Sequence, residues 1–272
     1  MHAASREALT TTAQTLDSWI QNSDQPVAAA SQTGAELFSI VEVLDGDRGL
    51  RVAVADSSVT AEQRSGLFSS VFAGKVSQMT LDLAKEAAAK VWSTPREFRA
   101  GLVELGRRAL LRSAEQQGQL TKVEEEIFAL GRLLTREPEL AQLLGDRNTS
   151  AERRRQLLAS VLYGKVTAVT EALAKQVIGR PVANPIDDLT ALVSEVAALR
   201  GKEVATVKSA EPMGALQTEQ LAAKLSRIYG REMSIHTEVD PSLLGGLIIR
   251  VGDEVIDGST SGKLERLRAS FV

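Results

Sequence analysis

The chain has 272 residues, of which 43% are apolar, 25% charged and only 4% aromatic, and its net charge is −3. It has no cysteine, which excludes disulfides, thiolate chemistry and cysteine-bound metal clusters. It has no overall basic excess of the kind that releases counterions from nucleic acid, so no nucleic-acid partner is expected. Abundant alanine and leucine with few aromatic residues point to a mainly helical protein. The N-terminal stretch MHAASREALTTTAQTLDSWIQ lacks an apolar core of signal-peptide length. No run of about 18 apolar residues occurs that would cross a membrane. A soluble chain is expected, reaching a membrane only through partners.

Residues 1–93 and 94–200 read as two related helical modules. DSSVTAEQRSGLFSSVFAGKVSQMTLDLAKEA from Asp56 aligns without a gap with DRNTSAERRRQLLASVLYGKVTAVTEALAKQV from Asp146. The register extends upstream, pairing Arg6-Glu7 with Arg96-Glu97. In the second module, Phe98, Leu102, Leu105, Ala109 and Leu110 recur at helical spacing after Thr94-Pro95, a cap followed by a first-turn proline. Gly118 should end that helix. Val123, Ile127, Leu130 and Leu134 then mark a second helix, and Ser150 caps a third. Gly164 separates the third from KVTAVTEALAKQVIG, and NPIDDLTALVSEVAALRG closes the module. Short helices joined by short loops predict a compact bundle.

The texture changes after Gly201. KEVATVKSA and REMSIHTEVD alternate as strands do, and LQTEQLAAKLSRIYG between them is amphipathic, with Leu221, Leu225 and Ile228 on one face. GLIIRVGDEVIDGS reads as a hairpin and TSGKLERLRASF as a last helix. Residues 201–272 are thus expected to form a small α+β domain in the order β-α-β-β-α.

Gly74-Lys75 and Gly164-Lys165 lack the earlier glycine and the following Ser or Thr of a phosphate loop, and read as helix breaks. His236 has no second histidine or cysteine to share a metal with, and reads as a solvated or satisfied strand residue. The run AERRRQ, with Arg153, Arg154 and Arg155, reads as a solvated helix face. Gly252 and Asp253 suit a two-residue primed turn. Gly245 and Gly246 let the chain enter the strand without Cβ clashes. Asp257, Gly258 and Ser259 end the second strand, with Ser259 capping the last helix so that Leu264, Leu267 and Phe271 face the core. Asp253 and Asp257 flank the second strand of the hairpin, about 13 Å apart, too far to share a metal or act as a paired acid and base. No catalytic constellation is found, and no cofactor is expected.

DPSLLGGLIIRVGDEVIDGSTSGKLERL, from Asp240 to Leu267, resembles the C-terminal signature of the delta subunit of F-type ATP synthases, the oligomycin sensitivity-conferring protein family. Val204 to Met233 and the module from about Thr94 to Arg200 resemble the family as well, whereas residues 1 to about 93 are an extra, diverged copy. The resemblance implies a non-catalytic stator subunit of a proton-translocating enzyme, at the cytoplasmic face of a bacterial cell membrane. It implies that the helical domain grips an N-terminal segment of an alpha subunit in a groove between the first and fifth helices, here about Arg96 to Gln117 and Lys165 to Ile178. It implies that the C-terminal domain binds a b subunit, and the extra module is expected to meet a second, b-type stator helix. The alternative reading is a helical adaptor outside that complex.

Overall fold

A computed structural model describes residues 1–270. Two compact units emerge, Met1–Val123 with Thr149–Arg180, and Glu124–Asn148 with Pro181 onward. The first unit holds α1 (Ala3–Gln21), α2 (Pro26–Gly46), α3 (Arg48–Ala53), α4 (Ala61–Phe72), α5 (Gln78–Ala89) and α6 (Pro95–Gln116), and α7 (Leu120–Arg136) starts in it. The second unit takes α7 from Glu124 and adds α8 (Pro138–Gly145). The chain returns to the first unit for α9 (Ala151–Leu162) and α10 (Ala168–Gly179), and α11 (Pro185–Leu199) belongs to the second.

The helix boundaries repeat every ninety residues: α4 with α9, α5 with α10, and the starts of α6 and α11. Each repeat is enforced locally. Thr60 and Ser150 accept hydrogen bonds from Gln63 N and Arg153 N, Ser77 and Thr167 cap α5 and α10, and Thr94 and Asn184 cap α6 and α11. Such a cap satisfies one of the amide donors that a helix start leaves without a partner. At the end of α6, Gly118 takes a positive φ of 66° and Gln119 N returns to the Ala114 carbonyl at 2.8 Å, closing a Schellman-type turn. Since α6 also aligns with α1 through Arg6-Glu7 and Arg96-Glu97, α6 is both the last helix of the first set and the first of the second.

Packing in the first unit centres on α6. Phe98 is fully buried and meets Trp92 and Phe68 edge to face, at centroid distances of 5.6 and 6.0 Å. Helix α2 crosses α6 so closely that a Cβ at Gly34 would lie 2.9 Å from the Gly106 carbonyl oxygen. A Cβ at Gly106 would lie 2.6 Å from the Phe38 ring. On another side of α6, Asp17 of α1 accepts from Arg108 Nε at 2.8 Å and Arg112 Nε at 3.0 Å. Burial raises the Asp17 carboxyl, but these two guanidinium groups outweigh it and hold it below the usual carboxylate value.

The arginine run departs from a solvated face. Arg153 is exposed, but Arg154 is buried and Arg155 pairs with Glu42 of α2 at 2.5 Å. The counterpart of Arg154, Arg64, donates to the carbonyls of Ala88 at 2.8 Å and Ala89 at 2.9 Å. A cation placed on the orphan carbonyls at the end of α5 is favoured by the helix dipole, and this satisfies a buried guanidinium without any carboxylate. The acidic end of α2 is held likewise, with Asp45 accepting from Arg99 at 2.7 Å and from Arg180 at 2.8 Å.

The rest of the second unit is a four-stranded sheet of order β2-β1-β3-β4, formed by β1 (Lys202–Ser209), β2 (Glu232–Val239), β3 (Leu247–Val251) and β4 (Glu254–Asp257). Helix α12 (Ala215–Tyr229) connects the parallel pair β1 and β2, and α13 (Thr260–Ser270) follows β4. One sheet face, with Ala205, Met233 and Val251, packs on Leu225 of α12. The architecture is a mainly helical N-terminal part followed by a small α+β domain.

Candidate functional site

The segment from Asp240 to Ser259 builds its shape from backbone constraints. Asp240 Oδ1 accepts from Ser242 N at 3.0 Å and Ser242 Oγ at 2.6 Å, pinning a 3-10 turn over Pro241–Leu243. Gly246 follows with φ of 78°, and a Cβ there would sit 2.4 Å from the Gly258 carbonyl oxygen. Both conditions demand glycine. We expect Gly246→Ala to cost about 2 kcal/mol of stability, since strain and overlap combine. Denaturant unfolding would measure it, and an unchanged midpoint would show that the loop relaxes freely. Gly252, with φ of 56°, and the exposed Asp253 form the two-residue turn between Val251 and Glu254, which are paired across the hairpin.

Asp257 works on its own neighbours. Its Oδ1 accepts from Ser259 N at 2.8 Å and Ser259 Oγ at 2.6 Å, and these bonds hold the carboxyl below its ordinary range. Ser259, fully buried, accepts from Gly262 N at 3.0 Å and so caps α13. Gly258 N donates to Leu247 O at 2.9 Å, and Thr260 N to Gly245 O at 2.9 Å, tying both ends of the hairpin together. These residues shape backbone and offer no reacting group.

The other sheet face docks on α7 through a buried ionic cluster. Glu124, with 1% of its side chain exposed, lies 2.9 Å from His236 Nε2 and accepts from Ser234 Oγ and Arg200 Nη1. The His236 ring stacks on Phe128 at 4.3 Å. Burial pushes the Glu124 carboxyl up, but the bonds from His236, Ser234 and Arg200 outweigh it and draw it below the usual value. His236 is therefore a satisfied strand residue, and its partner lies 112 residues away in the chain.

A profile of the family described as ATP synthase delta (OSCP) subunit matches residues 108–271. A protein named ATP synthase subunit delta from Corynebacterium efficiens is 66% identical over 271 residues, spanning 100% of this chain and 98% of its own. One of the same name from Corynebacterium diphtheriae is 65% identical over 272 residues and 100% of both chains. The chain belongs to the ATP synthase delta (OSCP) subunit family. It is a non-catalytic, peripheral-stalk subunit of an F-type ATP synthase. A chain of the cryo-EM Toxoplasma gondii mitochondrial ATP synthase hexamer aligns over 61% of this chain and 94% of its own, at 20% identity. Its TM-score of 0.34 is too low to compare folds.

The extra N-terminal helices lie within the span shared with both corynebacterial relatives, although the family profile begins only at residue 108. Two expectations about the apolar faces of the subunit are corrected by the structure. Ile228 is 69% exposed, because the stripe of α12 turned to the sheet runs through Thr218, Leu221, Leu225 and Tyr229, and Ile228 lies beside it. Leu264 and Leu267 are 43% and 55% exposed. The inner side of α13 carries Gly262 and, one turn on, Arg266, both against Asp257, which turns the leucines outward. Phe271 lies outside the described residues. Among the described residues, no helix is long and apolar enough to cross a membrane.

Proposed function

We propose that the subunit links the catalytic head to the membrane-anchored stalk, so that the head stays still while proton-driven torque turns the rotor. Its helical part holds an N-terminal segment of an alpha subunit, and its C-terminal domain holds the end of a b subunit at the cytoplasmic face of the cell membrane. The observation that carries this reading is the set of apolar side chains left exposed on the C-terminal domain: Leu216 and Ile228 on α12, Leu264 and Leu267 on α13. Exposed apolar surface of this kind suits an amphipathic helix docked by its apolar side. Attachment to the membrane then comes through the b subunit. The extra helices α1–α5 engage a second, b-type helix, a reading that rests on their divergence from the downstream copy.

The test is calorimetric titration of the full chain into the isolated catalytic head of the same enzyme, and separately into the soluble part of the b subunit. A one-to-one complex with the head is expected, lost when the alpha N-terminal segment is clipped. Ile228→Asp should weaken b binding about tenfold or more and leave head binding unchanged. Head binding that survives clipping, or b binding indifferent to Ile228→Asp, would refute the respective half. Truncation at residue 93 is a poor alternative test, because it strips α1 and α2 from the buried sides of α6.

A further inference from the structure

Within the second unit, α7, α11 and the sheet face opposite α12 border an open-sided cavity of about 520 Å³. That volume lies in the range of small-molecule sites. Its walls are mostly apolar, with Ile127 from α7, Leu189 and Val193 from α11, and Val204 from β1. Three cationic side chains, Arg132, Lys208 and Arg250, also line it, against one carboxylate, Glu238. Glu238 is taken by Lys208 at 4.0 Å. Arg132 gives Nη1 to the Thr237 carbonyl at 3.2 Å, while its buried Nε meets no hydrogen-bond acceptor among the described residues. Arg250 makes no ion pair among the described residues. The lining thus carries excess positive charge beside apolar walls.

Gly131 also lines this cavity. It sits inside α7, where glycine costs about 1 kcal/mol relative to alanine. Its φ is not positive, and a Cβ there would meet nothing within 4 Å. Neither backbone geometry nor a close neighbour requires glycine at this point, in contrast to Gly34 and Gly106. What the missing side chain does is leave the cavity wider.

We propose that this cavity binds a single-chain anionic amphiphile, with its chain between α7, α11 and the sheet and its carboxylate or phosphate head at the arginines. Bound there, the amphiphile would fasten the helices to the sheet. The test uses the full chain and two probes below their aggregation concentrations, oleate and oleoyl lysophosphatidate, followed by calorimetry. Saturable binding of one molecule per chain is expected for at least one probe, and which probe binds tells a carboxylate head from a phosphate head. Arg132→Gln should weaken binding about tenfold without lowering the melting temperature, and oleyl alcohol, lacking the charge, should bind at least tenfold more weakly than oleate. Gly131→Leu fills the cavity and should abolish binding in a chain that melts no lower than the wild type. If neither probe binds, or Gly131→Leu binds as the wild type does, the inference is wrong. Loss of b-subunit binding in Gly131→Leu, with no amphiphile bound by the wild type, would assign the cavity to a polypeptide and overturn it as well.

Discussion

Replacing Glu124 by alanine should destabilise the protein by about 3–5 kcal/mol, the range for breaking one side of a buried ionic pair. The carboxylate is almost fully buried and satisfies three groups, on His236, Ser234 and Arg200. Its removal leaves those groups buried without their acceptor, and that desolvation penalty is the main part of the loss. In a cycle with His236→Ala, the double variant should lose less than the two single variants combined, because both remove the same contact. Full additivity would show that the histidine is held by its stacking on Phe128 alone. The folded Glu124 carboxyl lies below its ordinary 4.5, so its contribution is complete above pH 4.5 and is lost as pH falls through the lower folded value. The stability gap between the wild type and Glu124→Gln should therefore shrink on acidification below pH 4.5. A gap that persists to the lowest pH at which both remain folded would mean that the carboxylate is not the stabilising form.

Phe98→Ala is the second large effect, also expected at about 3–5 kcal/mol. The ring is fully buried at the start of α6 and fills the space between Trp92 and Phe68. Its removal deletes the edge contacts of two other aromatic rings and leaves a void that the surrounding helices close only in part. Phe98→Leu, which keeps most of the volume, should cost well under half as much. Denaturant unfolding of both variants is the measurement. A loss below about 1 kcal/mol for Phe98→Ala would mean that Trp92 swings into the gap and that the cluster is fluid.

Features set by neighbouring residues were legible in the sequence. The Gly252-Asp253 turn, the Thr94-Pro95 helix start and the Gly118 stop each follow from conformations that a few residues impose on one another, whatever packs on them. Glu124 was not legible. It stands in a run of three glutamates, and only its place one turn from the buried Ile127 sets it apart; its partners are Arg200, just past the end of α11, and residues of β2. The buried Arg154, read in the sequence as part of a solvated face, was misleading for a related reason that its counterpart Arg64 shows. A guanidinium can be satisfied by backbone carbonyls at a helix end, and carbonyls leave no trace in a residue pattern. Ile228, Leu264 and Leu267 show the converse, since helical spacing marks an apolar face without saying whether the neighbour that covers it belongs to the same chain.

The double membership of α6 bears on how the subunit carries load. A flexible tether between two sets of helices would act as an entropic spring and stretch with each rotary step. Here the 22-residue rod of α6, about 33 Å long, serves both sets at once. It is clamped by Asp17 of α1, by the glycine crossing with α2, and on the α10 side by Arg107 donating to Gln176 at 2.6 Å. Moving α1–α5 against α10 means shearing buried contacts instead of uncoiling a linker. The shared helix thus joins the two sets without slack at that junction, as a strut in a rotary motor requires.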